Sequence, residues 1–76
     1  QGRLDEAIGH DRQALALNPN LGVVHDNLGA ALLKQGHAAE AQVEFAAALQ
    51  LNPNDAPAQT GLANAQAATA KTPTRN

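Results

Sequence analysis

The segment Leu17-Asn18-Pro19-Asn20 returns as Leu51-Asn52-Pro53-Asn54, 34 residues further along a chain of 76. At the same displacement Gly2 matches Gly36, Glu6 matches Glu40, Ala7 matches Ala41, and Ala14-Leu15 matches Ala48-Leu49. These nine matches hold one register across a whole segment and its exit, which an alanine-rich composition does not produce by itself. A unit this short shelters only part of its apolar surface, so its successor must finish the burial. The expectation is a tandem array of short elements.

Within each period the pattern is helical, with punctuation where helices should stop. Asn18 and Asn52 each precede a proline, which disfavours the α conformation for them, and their side chains suit a turn. From about Leu21 to Gln35 the residues Leu21, Val24, Leu28, Ala31 and Leu32 share one stripe, and Gly36 supplies a C-terminal cap. From about His37 to Leu51 the stripe is Ala41, Phe45, Ala48 and Leu49, and the short link through Gly36 makes these two helices an antiparallel hairpin. The segment from about Gly2 to Leu17 has the layout of that second helix, with Leu4, Ala7, Ile8, Ala14 and Leu15 on its stripe. The segment from about Ala56 to Ala70 has Asp55 as a candidate N-cap and Pro57 in its first turn, and reads as a first helix. Residues 71–76, Lys-Thr-Pro-Thr-Arg-Asn, contain no apolar side chain and are expected to be a disordered tail.

Composition limits what such an array can do. Of the 33 hydrophobic residues 18 are alanine, so the core is expected to be thin and the chain marginally stable alone. There is no cysteine, hence no disulfide framework and no thiolate metal site. Residues 1–70 hold three basic against seven acidic side chains, and Phe45 is the one aromatic residue. A nucleic-acid surface needs clustered cations or stacking platforms, so nucleic acid is not an expected partner. No apolar run has the length of a membrane span, so this segment is expected to be soluble and to make no membrane contact. The compartment stays open, with the cytoplasm expected before the periplasm. Gln1 in place of an initiator Met suggests a piece of a longer chain.

The 34-residue hairpin resembles the tetratricopeptide repeat, closely so over residues 22–55. The family's pattern reads here as Leu28-Gly29 and Leu32 on the first helix, Ala41, Phe45 and Ala48 on the second, and Pro53 at the exit. Gly29 and Ala41 lack bulk where two backbones approach, and Phe45 fills the space between successive pairs. The resemblance implies an all-α fold of four helices, with antiparallel pairs stacked as an α-solenoid, a right-handed superhelix. It divides the chain into a half-repeat at 2–19, a full repeat at 22–53 and a further helix at 56–70, all within one unit spanning 1–70. Two departures stand out: Asp11 occupies the place of Phe45 in the first half-repeat, and Ala63 and Gln66 occupy the places of Gly29 and Leu32 in the last helix, where Leu62 keeps the apolar anchor.

The resemblance also implies function. Such arrays bind extended peptides or partner helices on the concave face, lined by the first helix of each pair. That face carries Val23, Asn27, Ala30 and Lys34, with Asp26 and Leu33 at its margins, and Thr60 and Asn64 continue it one period later. An amide such as Asn27 both donates and accepts, so it can pair with a peptide backbone whatever the side chains; the alternative is a solvated polar residue on an exposed face. Lys34 lacks the companion cations of a basic clamp. His10, His25 and His37 show no metal-site spacing and, like Glu40 and Glu44, are expected to be solvated. There is no serine, tyrosine or cysteine nucleophile and no glycine-rich phosphate loop, and no cofactor is expected.

The leading expectation is therefore a non-catalytic scaffold that holds a protein or peptide segment. The alternative is the C-terminal scaffold of a larger enzyme, such as a glycosyltransferase, serving substrate positioning or oligomerisation. Self-association is a third expectation, because Leu4, Ile8 and Leu15 would form a partly open apolar edge at the end of the solenoid.

Overall fold

Two prolines and one glycine divide the chain. In the computed structural model, which describes residues 2–71, they separate α1 (Gly2–Leu17), α2 (Gly22–Lys34), α3 (Ala38–Leu51) and α4 (Ala56–Lys71). These limits lie within one residue of those expected from the sequence. Apart from Lys71, where α4 ends, the tail expected at 71–76 lies outside the described residues.

The repeated Leu-Asn-Pro-Asn segments fold the same way twice. The Asn20 backbone N–H donates to Asn18 Oδ1 at 3.1 Å, and the Asn54 N–H donates to Asn52 Oδ1, also at 3.1 Å. Asn52 is extended (φ −148°, ψ 97°), as the following proline requires. Between α2 and α3 the backbone turns differently. Gly36 takes φ 86°, its N–H donates to the Leu33 carbonyl at 3.0 Å, and the His37 N–H donates to the Leu32 carbonyl at 2.8 Å. This pair of bonds closes the last turn of α2 with a left-handed residue, a conformation glycine adopts without a Cβ clash. At the start of α4, Asp55 Oδ1 accepts the Ala58 N–H at 3.1 Å, so Asp55 is the N-cap. Leu21, its equivalent before α2, gives no side-chain cap.

Helix α2 packs on α3 across the Gly36 turn, α4 packs on α3 and touches α2, and α1 packs on α2. The result is a slab of 40 × 31 × 17 Å, two helix layers thick. The chain is all-α among the described residues, a helical-repeat solenoid. Its core consists of Ile8, Leu28, Ala31, Leu32, Ala41, Phe45, Ala48, Ala58 and Ala65. Five of these nine are alanine, so the helices approach closely and the buried volume is small.

The Phe45 ring lies against the backbones of Gly29 on α2 and Gly61 on α4, neither of which has a Cβ to displace it. One aromatic side chain thus fills the space both within a hairpin and between the hairpin and the next helix. Helix α4 corrects one expectation. Its buried residues are Ala58, Gly61 and Ala65, whereas Leu62 is half-buried and Ala63 and Gln66 are exposed. The face bearing Leu62, Ala63 and Gln66 matches the face by which α2 meets α3, and among the described residues no helix follows α4 to occupy it. At the other end, the apolar edge of α1 is only partly open: Ile8 is buried in the core, while Leu4 and Leu15 are half-buried beside it. Asp11 is half-buried where the full repeat has Phe45; desolvation raises its pKa, and the neighbouring His10 opposes that rise.

Candidate functional site

Side by side on one layer, α2 and α4 leave a shallow groove between them. Its volume is about 740 Å³. Asp26, Asn27, Ala30, Leu33 and Lys34 line it from α2, and Ala56, Pro57, Thr60, Gly61 and Asn64 line it from α4. The Phe45 ring forms part of the floor. The positions follow from helix periodicity: Leu28 and Leu32 turn toward the core, and the offset stripe through Asn27, Ala30 and Lys34 is left facing outward.

Of the eight residues expected from the sequence, Asp26, Asn27, Ala30, Leu33, Lys34, Thr60 and Asn64 meet on this groove. Val23 does not. It is 72 % exposed and lines an adjoining depression of about 430 Å³ with Asp26, Asn27, Asn52, Asn54 and Asp55, because it lies at the start of α2 beyond the end of the groove. Sequence reasoning did not place Phe45 and Gly61 in the site. The signal for them is a glycine on each of two helices, Gly29 and Gly61, but these are 32 residues apart and fall out of the 34-residue register. The Asn27 and Asn64 side-chain amides make no hydrogen bond among the described residues.

One end of the groove is acidic. The Asp26 carboxyl stands beside Asp55, with its Oδ1 enclosed and without a hydrogen-bond partner. Desolvation raises the Asp26 pKa, and the hydrogen bond and charge of Asp55 raise it further, to about 7, against a small opposing effect of His25. Two ionised carboxylates could only repel there. A proton on Asp26 gives it an O–H to donate to Asp55, whose other task is capping α4. Lys34, at the far end, forms no ion pair among the described residues.

His25 and Glu44, expected to be solvated, are instead largely enclosed, with 12 % and 22 % of their side chains exposed. His25 Nδ1 meets Glu44 Oε1 at 2.8 Å, and Nε2 meets the Pro19 carbonyl at 2.8 Å. Both partners are acceptors, so both ring nitrogens donate in the cationic form. Burial disfavours that charge, but the bonds to Glu44 and Pro19 outweigh it and the His25 pKa is raised. The reason for the enclosure is the turn before α2, whose Pro19 carbonyl folds back over the ring. Gln59, one period later, makes the same contact by donating from Nε2 to the Pro53 carbonyl at 2.8 Å. His10 and His37 are exposed. Glu40 is also exposed, and it pairs with Arg12 at 3.4 Å and His37 at 3.7 Å.

The model of the tetratricopeptide repeat family matches residues 23–55, the span from the first turn of α2 to the N-cap of α4. Residues 23–55 are thus a tetratricopeptide repeat. None of the curated proteins is similar enough to match it. Tetratricopeptide repeats are generally non-catalytic modules for protein–protein interaction. Among the described residues, no helix is long and apolar enough to cross a membrane.

Proposed function

We propose that the chain is a scaffold module that holds an extended peptide segment of a protein partner in the α2/α4 groove. The observation that carries this reading is the juxtaposition of two side-chain amides, Asn27 and Asn64, with no hydrogen bond among the described residues, across a groove whose floor is apolar. Extended peptides present backbone donors and acceptors along both edges, and an amide side chain satisfies one of each. Ala30, Leu33 and the Phe45 ring supply apolar contact without filling the space. No acid, base or nucleophile is gathered there in an arrangement that catalysis would need, and the two carboxylates at one end are engaged with each other.

The test begins with peptides selected from a displayed random library and titrated into isotopically labelled protein. Amide shifts should move at Asn27, Ala30, Lys34, Thr60 and Asn64. Asn27→Ala should weaken binding by about twofold to tenfold, the value of one net hydrogen bond, with helicity unchanged. Shifts confined to α1 and the outer face of α3 would overturn the reading, and undiminished affinity in Asn27→Ala would remove that residue from it.

A further inference from the structure

The groove is polarised. Asp26 and Asp55 stand at one end, Lys34 at the other, and the lining between them is uncharged. Asp55 already caps the positive end of the α4 dipole, so once Asp26 ionises, above about 7, it brings a second carboxylate and leaves the local balance negative. Lys34, the last residue of α2, has no ion-pair partner among the described residues.

We infer that the peptide held here carries a cationic side chain and a carboxylate about four residues apart, the cation seated at Asp26 and Asp55 and the carboxylate at Lys34. This rests on the groove reading above. The spacing follows from geometry: Asp26 and Lys34 are eight residues apart on α2, about 12 Å along its axis, and an extended chain covers that distance in about four residues. Four is even, so both charged side chains leave the peptide on the same side. At the acidic end, a ligand ammonium or guanidinium supplies the positive charge that two crowded carboxylates lack. A ligand carboxylate placed there would meet like charge instead, so the polarity also selects against acidic segments.

The experiment uses capped nonapeptides identical except at their third and seventh positions, read by fluorescence anisotropy at low salt and at a pH of about 8, where Asp26 has released its proton. The charged pair is lysine and glutamate in either order, since the peptide's direction is open to both; the controls carry two glutamines or two glutamates. At least one mixed peptide should bind about threefold to tenfold more tightly than the glutamine control, the product of two exposed ion pairs. The two-glutamate peptide should bind more weakly than the mixed one. The preference should shrink in Lys34→Gln and in Asp26→Asn, and be lost in the double variant. Asp26→Asn keeps a donor toward Asp55, and circular dichroism checks that each variant retains its helices. Equal affinities for the mixed and glutamine peptides would overturn the charge pattern and leave the groove reading standing. No binding of any peptide would overturn both.

Discussion

A Cβ built on Gly61 would sit 2.3 Å from Cε1 and Cζ of Phe45, closer than any side chain tolerates. A Cβ on Gly29 would come within 2.9 Å of the same two atoms. The tip of the ring is therefore crowded from α2 and from α4 at once.

Gly61→Ala should accordingly destabilise the fold by about 1–3 kcal/mol, even though alanine gains about 1 kcal/mol of helix propensity over glycine. Gly29→Ala should lose less. Gly9→Ala, in the middle of α1 with nothing within 4 Å of the added Cβ, should instead stabilise by up to about 1 kcal/mol. Urea denaturation of the three variants gives the signs directly. A Gly61→Ala protein at least as stable as the parent would contradict the packing described for Phe45.

Gly36 sets a different kind of demand. No neighbour crowds it, but its φ of 86° suits glycine. Gly36→Ala should cost about 1–2 kcal/mol, whereas Gly36→Asn, which tolerates the left-handed region better, should cost less. Thermal melts that rank alanine above asparagine here would argue against the turn.

Stability should fall as pH rises through neutrality. Asp26 holds its proton to about 7 in the folded protein but releases it near 3.8 when unfolded, so between those values the native state binds the extra proton. The resulting stabilisation is full below 3.8 and is lost as pH climbs through 7. The raised pKa values of His25 and Asp11 act in the same sense. The denaturation midpoint should thus be higher at a pH of about 5 than at about 8, and Asp26→Asn should flatten the profile. A profile that rises over this range would refute the assignment.

His25 and Gln59 hold equivalent places and bond equivalent carbonyls. His25→Gln should therefore keep the bond to Pro19 and lose mainly the contact with Glu44. His25→Ala leaves both acceptors without their donor and should cost about 1–3 kcal/mol. Chemical denaturation at a pH near 6 separates the two variants; equal losses would mean that the Pro19 bond contributes nothing.

The helix limits were legible because the same four residues, Leu-Asn-Pro-Asn, close two helices and a glycine closes a third. The α2 side of the groove was legible for a related reason: on a helix whose core stripe is fixed by Leu28 and Leu32, the outward stripe through Asn27 and Lys34 is determined too. What the sequence concealed depends on contacts between distant segments. Asp26 and Asp55 are 29 residues apart, and only the placement of α4 beside α2 brings their carboxyls together. Gly61 has no side chain to signal a contact, and only the ring of Phe45 beside it shows what its missing Cβ makes room for. Leu62 is the largest apolar residue of α4 and the natural anchor, yet α4 turns its alanines inward, because contact with α3 favours small residues that let the backbones close. A periodic pattern identifies which residues share a face but not which neighbour the face will meet.

Because a single ring of α3 is held between α2 and α4, α4 cannot detach without uncovering the largest hydrophobic side chain of α3. Loss of the last helix and loosening of the central hairpin are thereby one thermodynamic event. Amide protons of α4 around Gly61 should exchange in concert with those of α3 around Phe45, and a ligand lying across the floor they share would slow both together.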